Sequence, residues 1–474
     1  MKKQYINGRW CDALGGGLWH VQNPATEEWF ADVPFGDERD SLEAIAAAES
    51  AFASWKKLSG WERGAFLRRC ADLIRSHAER FAPETTMEAG KPLKEALGEW
   101  MVAADLFEWY GEEAKRAYGR VIPSKRAEKR MQVVWEPMGV VGIITAWNFP
   151  AYNLARACAA ALAAGCTVVC KGSEYTPLSS MNLFQALHET GLPAGVANLV
   201  NGDAARIGES FLNHPAVRKI SFTGSTRVGK LLMDGASRTV KRLALELGGN
   251  APVLIFEDVP LEQIARTAVT GRFRNAGQVC NVPQRFYVAQ RIYDDFLHLS
   301  SEHARQLRVG YGLEEGVAMG PLINKRQQEH VLTLLEHSKQ QGATVLTGGQ
   351  TLDKGFFVTP AVVADRQAAP VFRQQEIFGP VLPVTPFSDL EEVLQQANDT
   401  PYGLAAYVWT NNLKMAYAAA EGLQFGMIGI NDWAPHGTEA PFGGWKQSGL
   451  GHESGSEGML EYMEKKLITI NLST

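Results

Sequence analysis

Val140-Val141-Gly142-Ile143-Ile144 opens the stretch that decides the fold, because short β-branched runs and helical segments alternate from there. Thr167-Val168-Val169, Val196-Ala197-Asn198-Leu199-Val200 and Lys219-Ile220-Ser221-Phe222 continue the series. The alternation predicts an α/β chain with a parallel, doubly wound sheet. Ligands of such sheets bind beyond the carboxyl ends of the strands. The residues to watch therefore follow the strands: Trp147-Asn148-Phe149-Pro150 the first, Lys171-Gly172-Ser173-Glu174 the second, and Thr223-Gly224-Ser225-Thr226 the fourth.

Upstream, from residue 41 to about 118, the pattern is helical. Ser41 reads as the N-cap of Leu42 to Trp55, Leu67, Leu73, Ile74 and Phe81 recur at helical spacing, and three long helices are expected. Downstream, a second αβ stretch starts near Pro252-Val253-Leu254-Ile255 and runs to about residue 447. Its helix from Leu261 to Asn275 leads into Cys280. At the end, Lys466 to Leu472 alternates like an exposed strand, and with Met131-Gln132-Val133-Val134-Trp135 it predicts an oligomer interface.

The net charge of -5 and pI near 6.1 argue against nucleic acid or an anionic membrane as partners, leaving small molecules. At 474 residues the chain is long enough for two or three domains. Two N-terminal lysines have no apolar stretch behind them, which predicts no signal peptide and a cytoplasmic location. Ala157 to Cys170, closed by Lys171, is too short to span a bilayer. The six cysteines include no Cys-x-x-Cys pair and no His at ligand spacing, so neither a metal site nor a disulfide framework is expected.

Among those thiols Cys280 stands out by its neighbours. Gly277-Gln278-Val279-Cys280 places it just past a glycine, where a substrate can approach closely. A lone Cys is more often a small buried apolar residue. Glu246-Leu247-Gly248-Gly249 hangs a carboxylate at a strand end, fit for a general base, although a surface Glu before a turn has the same appearance. Together the two describe covalent acyl chemistry, in which a thiolate attacks a carbonyl and a carboxylate later activates water. Asn148, with the Cys280 backbone N–H, is the candidate oxyanion donor, against the alternative of a turn-forming Asn. Thr223 to Lys230 approaches a Walker A motif, but Leu231 stands where Ser or Thr would hold magnesium, which disfavours a nucleotide triphosphatase. No Gly-x-Gly-x-x-Gly fingerprint is present, and no Gly-x-Ser-x-Gly elbow supports a hydrolase.

These blocks, with Asn23-Pro24-Ala25-Thr26, Glu376-Ile377-Phe378-Gly379-Pro380 and Pro441-Phe442-Gly443-Gly444, occur in an order that resembles the aldehyde dehydrogenase superfamily over nearly the whole chain. The resemblance implies an NAD(P)-binding domain (1–118 and 139–248), a catalytic domain (249–447) and a small β hairpin for oligomerisation (119–138 and 455–474), assembled as a homodimer or homotetramer. Cys280 then resembles the nucleophile, Glu246 the general base and Asn148 the oxyanion donor. Lys171, Ser173 and Glu174 match the loop that holds the adenosine ribose, Gly224 and Ser225 the pyrophosphate contact, Glu376 and Phe378 the nicotinamide-ribose site, and Trp147 the cofactor channel. Lys171 and Glu453 match a pair proposed as a proton relay, or as a structural ion pair. Gly172 departs from the usual proline and loosens the ribose loop. A carboxylate at 174 would repel a 2′-phosphate, which favours NAD over NADP. His452 stands where the family has Arg, without a physical explanation.

Within the superfamily, Glu108-Trp109-Tyr110, Arg274-Asn275-Ala276-Gly277-Gln278 and Asn398 to Ala406 look most like succinate-semialdehyde dehydrogenases. In that branch two arginines grip the distal carboxylate of the aldehyde, and Arg156 and Arg274 stand at the matching positions, suited to bidentate contact. Either could instead be a structural salt bridge. The branch's carboxylate-binding Ser is absent from Ala434-Pro435-His436-Gly437-Thr438-Glu439, which leaves glutarate semialdehyde and sulfolactaldehyde open as substrates. A CoA-acylating relative would use the same Cys280. Val282 replaces the branch's second cysteine, so no disulfide switch is expected here.

Overall fold

The structure, a computed structural model, describes residues 2–473; Met1 and Thr474, the outer ends of the segments named above, lie outside the described residues. Five parallel strands form the centre of an eight-stranded sheet, in the order Ala197–Leu199, Thr167–Lys171, Val140–Ile144, Val217–Thr223, Arg242–Glu246. The chain works outward in one direction from Val140–Ile144 and then returns to its other side. The switch therefore falls between Val140–Ile144 and Val217–Thr223, and a crevice opens past their ends. Antiparallel strands complete both edges: Gln4–Ile6 with Arg9–Cys11 on one, Gly449–Leu450 on the other.

Three helices precede this sheet: α1 (Glu38–Trp55), α2 (Gly60–Ala89) and α3 (Leu93–Glu113). The cap expected at Ser41 belongs to Asp37, which forms a capping box with Asp40. Ser41 instead lies buried one turn inside and shares a hydrogen bond with Ser210 Oγ at 2.5 Å. Helix α4 (Pro150–Ala164) runs from the first crevice strand back through the core. Its alanines allow close approach, and every residue but Tyr152 is buried, against α2 and α3 on one side and the sheet on the other. Helices α5 (Pro177–Glu189), α6 (Ala204–Asn213) and α7 (Thr226–Ser237) complete the two layers.

A second sheet of seven strands has the order Thr344–Thr347, Ala361–Ala364, Val381–Phe387, Pro283–Ala289, Ala251–Ile255, Ala405–Trp409, Met427–Ile430. All its pairs are parallel except the first. Helix α8 (Leu261–Phe273) packs its Ile264, Ala268 and Phe273 into the core of that sheet. It ends earlier than the expected Asn275. Lys129–Pro137 pairs with Met463–Asn471 along its full length, and Arg120–Ile122 adds a third strand. The outer strand leaves Leu467 and Ile470 exposed. No helix among the described residues is long and apolar enough to cross a membrane.

The two large sheets meet at the loop after Glu246. A Cβ on Gly249 would lie 1.9 Å from the Cys280 carbonyl oxygen, so no side chain fits between them. Gly249→Ala is expected to cost about 1–3 kcal/mol through overpacking, read as a lower urea midpoint with an unchanged slope.

Candidate active site

A cleft of about 1220 Å³ lies between the sheets and is lined from both. The first sheet contributes Trp147, Asn148, Gly224, Ser225 and Glu246 from its strand ends, together with Arg156 on α4; the second contributes Arg274, Cys280, Glu376 and Phe378. Lys171, Ser173 and Glu174 do not reach the lining. They stand at the end of the Thr167–Lys171 strand, where Lys171 Nζ and Glu174 Oε2 pair at 2.6 Å and Ser173 Oγ accepts from the Tyr175 amide. The missing proline at 172 has a steric explanation: a Cβ there would lie 2.0 Å from Ser180 Oγ, in the first turns of α5.

The Cys280 loop is shaped by a tight reversal after α8. Asn275, Ala276 and Gly277 take left-handed conformations in succession, at φ 48°, 53° and 73°. A Cβ on Gly277 would meet the Gly379 carbonyl at 2.3 Å, which makes glycine obligatory there. Two non-glycine residues at positive φ cost about 1–3 kcal/mol each, so neighbouring groups must hold them. Glu95 Oε2 accepts from the Asn275 amide at 3.0 Å, and Asn275 Nδ2 donates to the Asn148 carbonyl at 3.1 Å.

Asn148 is buried, with Nδ2 donating to the Gln278 carbonyl at 3.0 Å and Oδ1 accepting from Asn153 at 3.3 Å. One amide hydrogen remains for a ligand oxygen. Glu246 is buried at the end of its strand and its Oε2 has no hydrogen-bond partner among the described residues. Burial pushes its carboxyl well above the usual range; Arg156 pulls it down and Glu453 pushes it up. Burial likewise pushes the Cys280 thiol up to about 12, with Arg156 pulling it down and Glu246 and Glu376 adding to the rise. The resting thiol is therefore protonated and needs a base to become a nucleophile.

Arg156 is almost fully buried, paired with Glu453 Oε2, and its guanidinium lies 4.4 Å from the Phe442 ring and 5.0 Å from that of Tyr152. This overturns the pairing of Lys171 with Glu453, because Lys171 holds Glu174, and Glu453 holds Arg156 and accepts from Ser221 Oγ. Arg274 differs. It is exposed to the cleft, makes no ion pair among the described residues, and rests 5.1 Å from the Phe149 ring.

The remaining groups suit a dinucleotide. Ser225 caps α7, whose first-turn amides face the cleft as an anion site. Glu376 Oε1 accepts from the Gly249 amide at 2.8 Å, and burial holds its carboxyl up to about 7 while that amide pulls it down. The Phe378 ring meets Trp147 edge-on at 5.5 Å. Motif reading missed Asn281, Lys91, Glu95 and Glu99, and it named His436 only within the loop Ala434 to Glu439, without a role. For Glu95 and Glu99 a signal existed, since carboxylates four apart on a helix share a face. His436 Nδ1 lies 3.1 Å from Asn281 Nδ2.

The sequence pattern of the aldehyde dehydrogenase family matches residues 10–468. The chain belongs to the aldehyde dehydrogenase family. The mitochondrial succinate-semialdehyde dehydrogenase of Oryza sativa subsp. japonica is 43% identical over 98% of this chain and 88% of its own length. The 3-sulfolactaldehyde dehydrogenase of Pseudomonas putida is 40% identical over 99% of this chain and 97% of its own. Among solved structures, an E. coli NADP-dependent enzyme superposes with a TM-score of 0.97, at 40% identity, covering 99% of this chain and 98% of that one. The chain is thus an NAD(P)-dependent aldehyde dehydrogenase of that α/β fold.

In an aldehyde dehydrogenase that uses Glu246 as base, the rate rises with pH as that carboxyl ionises. Glu453 raises it and also occupies Arg156, so Glu453→Gln lowers it by both routes. The acid limb of the kcat–pH profile is expected to move to lower pH, measured by steady-state rates across buffers of constant ionic strength.

Proposed function

We propose that the enzyme oxidises aldehydes bearing a distal anionic group, of which succinate semialdehyde is the type, to the corresponding acids. The observation that carries this reading is Arg274, a guanidinium exposed to the same cleft as Cys280 and in no ion pair among the described residues, with Glu95 its nearby charge. A guanidinium that is exposed to the cleft and in no ion pair can meet an incoming carboxylate with two parallel N–H donors. Arg156, already engaged by Glu453, contributes a weaker pull from the same cleft.

In the mechanism, Glu246 takes the Cys280 proton and the thiolate attacks the aldehyde carbon. The oxyanion of the thiohemiacetal is received by the free Asn148 amide hydrogen and the Cys280 N–H. Gly224, Ser225, Trp147, Glu376 and Phe378, with Lys171, Ser173 and Glu174 at the rim, would hold the dinucleotide, which when bound supplies the two-electron oxidant. The product of that oxidation is a thioester on Cys280. Glu246, after releasing the Cys280 proton to solvent, takes a proton from water; the resulting hydroxide adds to the thioester, and the tetrahedral adduct collapses to the carboxylic acid and the Cys280 thiolate, which recovers its proton from Glu246. NAD is the preferred form in this reading, because a carboxylate at Glu174, in the loop that resembles the adenosine-ribose site, would repel a 2′-phosphate. We place the enzyme in the cytoplasm, with residues 1–118 and 139–248 as the cofactor domain and 249–447 as the catalytic domain. The exposed Met463–Asn471 strand supports a homodimer or homotetramer.

A second reading, for a sulfonated aldehyde, is favoured by His436. An amide nitrogen can only donate, so His436 Nδ1 accepts from Asn281 and the ring proton sits on Nε2. Burial, then Arg274 and Arg156, hold His436 down to about 4, so it stays neutral at pH 7 and offers one N–H. Arg274 with that donor suits a three-oxygen sulfonate as well as a carboxylate.

Cys280→Ala is expected to abolish NADH formation while NAD binding, followed by fluorescence quenching, persists. Arg274→Gln is expected to raise KM for an anionic aldehyde at least tenfold, about 1.4 kcal/mol, and that for a neutral aldehyde of equal length far less. Equal losses on both would overturn the anionic reading. A panel of C3 to C6 aldehydes with carboxylate, sulfonate or no distal group separates the two substrate readings.

A further inference from the structure

The segment that opens α3 ties together the two halves of the candidate oxyanion site, although it belongs to neither catalytic loop. Lys91 Nζ is fully buried, donates to Glu99 Oε2 at 2.5 Å and to the Asn148 carbonyl at 2.6 Å, and lies 3.8 Å over the Phe149 ring. Glu99 Oε1 accepts from the Ala151 and Tyr152 amides, at 2.8 and 3.2 Å, in the first turn of α4. One turn earlier, Glu95 Oε2 accepts from the left-handed Asn275 amide at 3.0 Å. Between these anchors Asn275 Nδ2 bonds both the Asn148 and the Gln278 carbonyls, and the latter also orients Asn148 Nδ2.

The segment is itself fixed. The Leu93 amide donates to the Gly312 carbonyl at 2.9 Å, and a Cβ on Gly312 or Gly320 would lie 2.5 Å from the Lys91 carbonyl or 1.9 Å from that of Gly90. One rigid element thus grips the Asn148 peptide, the start of α4 and the strained turn before Cys280. Oxyanion donors act only when held at the right distance, and a 1 Å misplacement costs on the order of 100-fold in rate.

We propose that Lys91, Glu95 and Glu99 are positioning residues for the dehydrogenase reaction: a clamp that sets the register between Asn148 and the loop carrying Cys280. The proposal rests on the roles given to Cys280 and Asn148 above. Lys91→Met keeps the volume and removes the donor to Asn148. Glu95→Gln keeps an acceptor for Asn275, whereas Glu95→Leu does not. The readouts are the rate constant of the NADH burst at saturating aldehyde, the aldehyde KM, NAD affinity, and the alkylation rate of Cys280 by iodoacetamide, which needs no oxyanion donor.

Lys91→Met is expected to slow the burst roughly 10- to 100-fold, with KM, NAD affinity and alkylation within about twofold. Glu95→Leu is expected to slow it about tenfold or more, and Glu95→Gln by no more than about threefold. A wild-type burst in Lys91→Met overturns the clamp, as does a fall in which alkylation and NAD affinity drop alongside, or equal bursts in the two Glu95 variants. If Lys91→Met does not fold, the Glu95 pair decides. Cys280→Ala serves as the control: turnover persisting there removes the underlying reading, while clamp variants of wild-type rate in a Cys280-dependent enzyme remove the clamp alone.

Discussion

Everything in the cleft depends on the close contact between Gly249 and the Cys280 carbonyl. The candidate base ends a strand of one sheet and the candidate nucleophile follows a helix that packs on the other. They serve one reaction only if the sheets close on each other without an intervening side chain, and a Cβ at 249 leaves no room for that closure. Glu376 reinforces the junction from the second sheet by accepting the Gly249 amide. The same contact therefore locates the candidate base, the thiol and one wall of the candidate dinucleotide site.

Closing the sheets also removes water, and this governs the electrostatics. Glu246, Glu376 and Cys280 are all driven toward their neutral forms by burial, ahead of any neighbouring charge. A protonated thiol near a carboxyl of raised proton affinity gives up its proton readily to the ionised form of that carboxyl, which makes the thiolate and leaves the carboxyl neutral. Arg156 pulls Glu246 and Cys280 down, and Glu453, paired with it, limits how far it does so. Arg274 forms no ion pair among the described residues and stands exposed in the cleft.

The fold was legible because alternating β-branched runs and helical stretches report a doubly wound sheet directly, and Trp147, Gly224 and Glu246 did emerge past its strand ends. Local signals were less exact: Ser41 looked like a cap because nothing local announces that Asp37 and Asp40 will share that task. Pairings between distant segments were not legible. The resemblance pairs Glu453 with Lys171, whereas Lys171 meets Glu174 three residues on and Glu453 meets Arg156. The Lys91, Glu95 and Glu99 network escaped for the same reason, since charges at helical spacing usually mark a solvated face. Their burial arises only when α3 docks against α4 and the Asn275 turn.

In the proposed reading Arg156 links recognition to chemistry. Its field lowers the proton affinity of Glu246, and Glu453 already takes part of that field. A distal anion held at Arg274 would take a further part, since both guanidiniums line one cleft. Glu246 would then hold its proton more tightly in the substrate complex than in the free enzyme, and its ionised form would be a stronger base once the thioester is formed. A neutral aldehyde of the same length would leave Arg156 undisturbed and Glu246 weaker. Discrimination of this kind would appear in the turnover step as well as in binding, because the distal group alters an interaction expressed as the water is activated.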